Sequence, residues 1–126
     1  MGYRSNVEVV FYTTNKEQLP MAALKLWFDE NYPKKEALGE WAAEIEYGDD
    51  HVRVRYDDVK WYNGYTHPVE VNSVCADFHA IFEPETGTPF AHWELVRVGE
   101  EVEDIVHDGS SYCEYRLGVS REITFY

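Results

Sequence analysis

Residues 43–56, AEIEYGDDHVRVRY, consist of two alternating runs of apolar and polar residues on either side of Gly48-Asp49-Asp50. Ala43, Ile45 and Tyr47 alternate with glutamates in the first run, and valines alternate with arginines in the second. A period of two places the apolar side chains on one face of a strand, and a short polar turn between two such runs is typical of a hairpin. The stretch therefore predicts antiparallel pairing.

The outward face of this hairpin predicts ion pairs between its strands. Glu44 and Glu46 alternate outward on the first strand, and Arg53 and Arg55 do so on the second. Opposed charges across an antiparallel pair contribute roughly a few tenths of a kcal/mol each. Pairing with glutamate is therefore our first interpretation of the two arginines, and phosphate binding is the second.

One helix is predicted on each side of the hairpin. The first follows a strand over residues 6–13 and ends near Tyr32. Its start has two candidates, because Thr14 and Glu17 have the spacing of a capping box, whereas Pro20 is tolerated only near the first helical turn. The second helix is expected from Pro68 to about Phe82, with an apolar stripe that includes a buried Cys75.

Three later strands are predicted at residues 90–98, 103–108 and 121–126. The resulting order, β-α-β-β-α-β-β-β, predicts an α+β fold: a single domain over residues 1–126, with an antiparallel sheet of about five to six strands and two helices packed on one face. The strand at 90–98 carries apolar residues in both phases, which predicts a bulge or a strand covered on both faces.

The charge of the chain restricts its partners. It has 11 Lys and Arg against 24 Asp and Glu, for a formal net charge of −13. Such a field repels phosphates, so direct binding of nucleic acid or of an anionic membrane is not expected. A basic protein partner, cations, or solubility alone would account for it. Cys75 and Cys113 form no CxxC pair, and no apolar run is long enough to span a membrane, so we expect a reducing cytoplasm.

Several short motifs resemble small acidic proteins that tailed bacteriophages and prophages encode. The motifs are MGYRS at 1–5, VKWY at 59–62, FAHWELVRVGEEVEDI at 90–105 and LGVSREITFY at 117–126. The resemblance implies a phage protein in the cytoplasm of a bacterial host, where small accessory proteins often act by binding host proteins. It carries over no catalytic residue, because no activity is assigned to this group.

The acidic segment after the strand at 90–98 has four interpretations: a metal site, a general acid/base pair, a surface for a basic partner, or a solvated loop. His92 and Glu94 share one strand face, close to further carboxylates, but no HxH, HExxH or EF-hand loop is present. Ser110, His107 and Asp108 supply the residue types of a triad only as sequence neighbours, which is not the arrangement that a triad needs. We therefore assign no catalytic, cofactor-binding or metal-binding residue and do not expect an enzyme.

Partner binding is the function that we predict. The expected contact residues are carboxylates of the acidic segment and aromatic residues of the connector before the second helix: Glu100, Glu101, Glu103, Asp104, Trp61, Tyr62 and Tyr65. Aromatic anchors dominate the energy of many interfaces. The partner would be a basic host protein, such as a defence or nucleic-acid-handling factor. The alternatives are a small-molecule or nucleotide-binding protein or metal-dependent enzyme with a cleft formed by His92, Arg97 and Arg53, and a virion assembly protein.

Overall fold

The computed structural model describes residues 4–32, 43–59, 61, 66–81, 90–99, 104–110, 117–119 and 123–125. Their elements are β1 (Ser5–Thr13), α1 (Met21–Asn31), β2 (Ala43–Tyr47), β3 (His51–Val59), α2 (Thr66–Ile81), β4 (Ala91–Gly99), β5 (Ile105–Gly109), β6 (Leu117–Val119) and β7 (Ile123–Phe125). The first five strands form one antiparallel sheet in the order β2-β3-β1-β4-β5, and β6 and β7 form a separate hairpin. The predicted α+β class is confirmed.

The central strand β1 separates two chain segments that run parallel to each other. Both β3 and β4 pair antiparallel with β1, one on each side, and α2 connects them. The hairpin of β2 and β3 closes through Gly48, whose N–H donates to the His51 carbonyl at 2.9 Å. A Cβ at position 48 would lie 2.1 Å from the His51 ring, so a larger residue here would require the His51 side chain to move.

Both helices pack on the same face of the sheet, as predicted. Phe11 of β1 is fully buried at the centre of this layer, with its ring 5.7 Å from Trp27 of α1 and 5.1 Å from Phe78 of α2. Cys75 is buried on the inner stripe of α2 and forms no disulfide, which agrees with its predicted role as a small hydrophobic residue. The burial of apolar side chains between the helices and this face is the main favourable contribution to the free energy of folding.

Helix α1 begins at the later of its two predicted starts. Pro20 occupies the N-cap position, and helical geometry begins at Met21. The capping-box prediction was wrong, because the Thr14 hydroxyl donates to the Phe90 carbonyl at 3.4 Å. The side chain of Asn15 instead accepts the backbone N–H of Glu17 at 3.0 Å and organises a separate turn before the helix.

The second face of the sheet carries a smaller apolar cluster under β6 and β7. Val10, Tyr12, Val96 and Leu117 are buried together, and Ile123 packs against them. The pairing of β1 with β4 is continuous from Ser5 to Thr13, without a register shift. The apolar residues in both phases of β4 are therefore explained by cover on both faces and not by a bulge.

Candidate functional site

The two described members of the predicted contact set lie in different surroundings. Trp61 is 7% exposed and its ring lies 5.5 Å from that of Tyr56, so it belongs to the helix-side core. Asp104 lies before β5, and the guanidinium of Arg97 donates to both of its carboxylate oxygens at 2.9 and 2.7 Å. The remaining members fall outside the described residues: Glu100, Glu101, Glu103, Tyr62 and Tyr65.

The Arg97–Asp104 pair closes the base of the hairpin formed by β4 and β5. The Gly99 N–H also donates to the Asp104 carbonyl at 2.8 Å, so backbone and side-chain bonds act at the same place. Bidentate pairs of this type fix orientation as well as contributing energy. Asp104 therefore fixes the start of β5 against the end of β4.

The pairing register brings a second acidic segment to this end of the sheet. Ser5 of β1 pairs with Val59 of β3 on one side and with Gly99 of β4 on the other. Because neighbouring strands lie about 4.8 Å apart, the ends of β3 and β4 are separated by roughly 10 Å. Asp57 and Asp58 thus lie at the same end of the sheet as Gly99 and Asp104. We call Asp57, Asp58 and Asp104 the acidic end.

A bulge in β1 and β3 holds Asp58 in an unusual backbone conformation. The register shifts between Ser5 and Val7, and Asp58 has a φ of 54°. Its N–H donates to the side-chain oxygen of Asn6 at 2.9 Å, and Arg4 donates to its carbonyl at 3.0 Å. Bulges often redirect side chains, and the side chains of Asp57 and Asp58 are both exposed here.

Beside the apolar cluster, the described residues of the second sheet face form a ladder of charges. Glu44 pairs directly with Arg55, and Glu46 with Arg53, as the hairpin pattern predicts. However, the main partner of Arg53 is Glu8 of β1, whose two carboxylate oxygens accept bonds of 2.9 and 2.8 Å. Glu8 is only 2% exposed. The closest ion-pair partner of Arg53 is therefore Glu8 of the central strand β1, and not Glu46 of the edge strand β2.

Two adjoining cavities follow this ladder, and we call them together the charged groove. The larger has a volume of about 400 Å³ and is lined by β2 and β3 at residues Glu44, Ile45, Glu46, Arg53 and Arg55. The smaller has about 270 Å³ and is lined by Asn6, Glu8, Arg55, Asp57 and Ile123. Arg55 belongs to both, so the groove extends from the edge strand β2 to β7 and reaches the acidic end at Asp57.

The arginines of the described strands are held by carboxylates of the same chain. Arg53 pairs with Glu8, and Arg97 pairs with Asp104. The Nε of Arg55 lies 3.1 Å from Asp57, and the hydrogen bond and charge of this carboxylate raise the pKa of the arginine above its ordinary value, against a smaller opposing effect of burial. A phosphate would have to compete with these carboxylates and with the negative field of the whole chain. The geometry therefore favours the pairing role of the arginines.

The cleft considered for a small-molecule function is not formed by the three residues proposed for it. His92 pairs with Tyr12 and Arg53 with Val10, which places both on the second face of the sheet. Arg97 pairs with Val7 and so lies on the helix-side face. Since successive residues of a strand point to opposite faces, these side chains cannot line one pocket.

His92 and Glu94 do share a face, but each has other contacts. Glu94 is 0% exposed, accepts the Leu117 N–H at 2.9 Å and forms a short bond with His107. His92 packs against the Tyr12 ring and contacts the Ser110 hydroxyl at 3.4 Å. Within the ranges that the structure describes, no group of three or more His, Cys, Asp or Glu is arranged to hold a metal ion. The arrangement attaches β6 to the sheet.

The sequence neighbours Ser110, His107 and Asp108 do not meet as a triad. The closest histidine contact of Ser110 is His92, whereas His107 bonds to Glu94. The Asp108 carboxylate accepts the Gly109 N–H at 2.8 Å. These bonds stabilise the β4–β5 edge.

Sequence reasoning overlooked the burial of Glu8 and Glu94. Neither belongs to the predicted contact set, and both are almost fully enclosed. One signal was present, since Val10, Tyr12 and Val96 continue the same face and are apolar. A polar residue in such a run is expected to be buried with a partner.

Outside comparisons do not identify the chain. Among the described residues, none of the helices has the length and apolar character needed to cross a membrane. No protein-family model, curated protein or solved structure matches the sequence or its fold.

Proposed function

We propose that this protein is a non-enzymatic binding protein whose acidic end docks onto a basic surface of another protein. The observation that supports this most directly is the pairing of Ser5 with both Val59 and Gly99. That register brings Asp57 and Asp58 to the same end of the sheet as Gly99 and Asp104. We infer that Glu100, Glu101 and Glu103, which lie between Gly99 and Asp104 in sequence, belong to the docking surface. In this proposal two acidic segments about 40 residues apart in sequence form one docking surface.

The charge distribution supports a basic partner. The chain has a net charge of −13, and the arginines of the described strands are turned toward carboxylates of the same chain. Their charge is therefore largely neutralised locally, and the excess field around the molecule is negative. Complementary fields accelerate encounter and select partners more than they add affinity. Such a surface suits a basic protein.

The class of the partner follows from the resemblance to phage proteins. In that setting the basic surface belongs to a host protein in the bacterial cytoplasm, and defence or nucleic-acid-handling factors have the required charge. Because such factors bind nucleic acid with basic surfaces, a carboxylate-rich protein can occupy the same groove. This part of the proposal depends on the resemblance alone.

The magnitude of exposed ion pairs argues against a free metabolite as the main ligand. Glu46 and Arg55 of the charged groove are 65% and 49% exposed. An exposed pair contributes only about 0.2–1 kcal/mol, so two such pairs would give less than roughly 30-fold in affinity. A small molecule held by these groups alone would therefore bind weakly. A side chain of a protein partner can form the same ion pairs as part of a larger interface, where other contacts supply most of the affinity.

Charge reversal of the acidic connection tests the proposal. Glu100, Glu101 and Glu103 are changed to Lys together, and Asp104 is kept because it holds Arg97. The matched control reverses Glu17, Glu30 and Asp77, which are exposed on the helix side of the fold, so both variants have the same net charge. Partners are cross-linked in host cells, identified by mass spectrometry, and their affinity for each purified variant is measured at several salt concentrations.

The connection variant is expected to lose about tenfold or more in affinity, since it replaces three attractive pairs with repulsive ones. The control should lose less than about threefold, and the difference should shrink at high salt. Equal loss in both variants, or none in either, contradicts docking through the acidic end. Enrichment of the protein in purified virus particles at a fixed copy number would favour an assembly role instead.

A further inference from the structure

The charged groove has an uneven distribution of charge across its width. On the β1 side, Glu8 and Arg53 neutralise each other in a bidentate pair. Arg55 is drawn through its Nε toward Asp57. On the β2 side, Glu46 lies 3.7 Å from Arg53, a longer contact than that of Glu8. The positive charge is thus directed away from the edge strand.

Two carboxylates of β2 therefore face the larger cavity with less compensation than the rest of the ladder. Glu44 and Glu46 are separated by one residue, so their side chains lie on the same face about 7 Å apart. Both are exposed and both line the cavity of about 400 Å³. A cavity of that size lies within the roughly 300–1,000 Å³ range of ligand pockets.

We propose that the charged groove receives a Lys or Arg side chain from an extended segment of the basic partner. Its cationic group would lie between Glu44 and Glu46 in the larger cavity. An ammonium or guanidinium group is the complementary ligand because the two side chains of this wall, Glu44 and Glu46, are both negative. This inference depends on the proposed function and names where a basic residue is bound.

An extended segment fits the groove better than a helix does. The floor is the flat face of three adjacent strands, β2, β3 and β1, and the far wall is β7. The side chains of an extended chain recur on one side about every 7 Å, which matches the separation of Glu44 and Glu46. A segment with alternating basic and apolar residues would present the basic ones to these carboxylates.

The probe for the test is an acetylated and amidated octapeptide of alternating Lys and Val. Its control is the same peptide with every Lys replaced by Glu. Binding is followed by the backbone amide shifts of the complete protein in two-dimensional NMR, which report both position and affinity. The expected result is saturable movement of the amides of Glu44, Glu46 and Arg55 with the Lys peptide and no movement with the Glu peptide.

Two variants with equal charge separate a specific groove from general attraction. Glu44→Gln with Glu46→Gln removes the proposed contacts, and Arg53 keeps Glu8 as its main partner, so the fold should persist. Glu30→Gln with Asp77→Asn removes two charges from the helices. We expect the groove variant to bind the Lys peptide about five- to tenfold more weakly than the wild type, and the helix variant to bind it less than twofold more weakly. Equal weakening, or no saturable movement of the groove amides, overturns the inference.

The same variants distinguish this inference from the proposed function. If the natural partner loses affinity with the Glu100, Glu101 and Glu103 reversal but binds the groove variant as well as the wild type, the acidic end is the contact and the groove is not. If the reversal of the acidic end leaves the affinity of the partner unchanged but the groove variant lowers it, the proposed docking through the acidic end is wrong. The groove is then the contact.

Discussion

Buried carboxylates determine much of the behaviour of the second sheet face. Glu8 and Glu94 are enclosed on the strands β1 and β4, and each accepts two hydrogen bonds. Removing a charge from water is costly unless the charge is paired and fully bonded. Replacing only the partner of such a carboxylate should therefore destabilise the fold. Replacing the carboxylate and its partner together should destabilise it less.

Arg53→Met should destabilise the fold by about 2–4 kcal/mol, because it leaves the Glu8 carboxylate buried without its bidentate donor. The double change Glu8→Leu with Arg53→Met should recover most of that loss, since an apolar pair replaces the ion pair. Urea unfolding at neutral pH measures both. A double variant as unstable as the single one would show that the charge of Glu8 is not the cause.

Asp58 should be replaceable by Gly but not by a β-branched residue. Its φ of 54° lies in the left-handed region, which glycine adopts freely and which costs other residues roughly 1–2 kcal/mol. Asp58→Gly is expected to change the free energy of unfolding by less than about 0.5 kcal/mol, and Asp58→Val to lower it by about 1–2 kcal/mol. Thermal unfolding compares the two, and equal stabilities would argue against strain at this position.

Among the described residues, a hydrogen bond and apolar side chains attach the hairpin of β6 and β7 to the sheet. The Leu117 N–H donates to Glu94, and the Leu117 side chain enters the cluster of Val10, Tyr12 and Val96. Neither strand pairs with the five-stranded sheet. A two-stranded hairpin is marginal alone in water, so this element depends on the face that it covers.

Glu94→Leu should release this hairpin before the sheet unfolds. The change leaves the buried Leu117 N–H without its acceptor, at a cost of about 1–3 kcal/mol. Native-state hydrogen exchange should show faster exchange at Leu117 while amides of β1 keep their protection. Asp77→Leu, at an exposed carboxylate of α2, serves as the control and should change stability by less than about 0.5 kcal/mol. Faster exchange throughout β1 would instead show that the hairpin and sheet unfold together.

At the scale of the whole molecule, the helix-side core buries hydroxyl and thiol groups that stay protonated in the folded state. The Tyr32 and Tyr56 hydroxyls bond to each other at 2.8 Å beneath the helices, and Cys75 is buried nearby. Burial raises the pKa of both tyrosines and of the Cys75 thiol above their ordinary values. Unfolding exposes these groups and lets them ionise at the ordinary values of about 8.5 for a thiol and 10 for tyrosine.

Stability should therefore decline on the alkaline side. Above about pH 8.5–10 the unfolded chain binds fewer protons than the folded one, so the free energy of unfolding falls as pH rises. Tyr32→Phe with Tyr56→Phe removes both partners of one bond, so it should be nearly neutral at pH 7 and should flatten the decline. Urea unfolding between pH 7 and 10.5 measures the slope. An unchanged slope in the double variant would assign the decline to other groups.

Much of the architecture follows from the sequence because it depends on local periodicity. The period-two runs on both sides of Gly48 predict β2 and β3, and the helical spacing of Val71, Cys75 and Phe78 predicts the inner stripe of α2. The start of α1 at Pro20 was one of two alternatives, since capping depends on which nearby groups compete for the backbone.

The sequence by itself determined the strand and helix content, the antiparallel class and the strong negative charge, because these depend on nearest neighbours and on composition. Only the tertiary structure decided the partners of Glu8 and Glu94, the separation of Arg97 from Arg53, and the placement of Asp57 at the same end of the sheet as Asp104. Those features depend on strand order and register, which join residues about 20 to 45 positions apart. The local pattern of a strand gives its two faces but not the strand beside it.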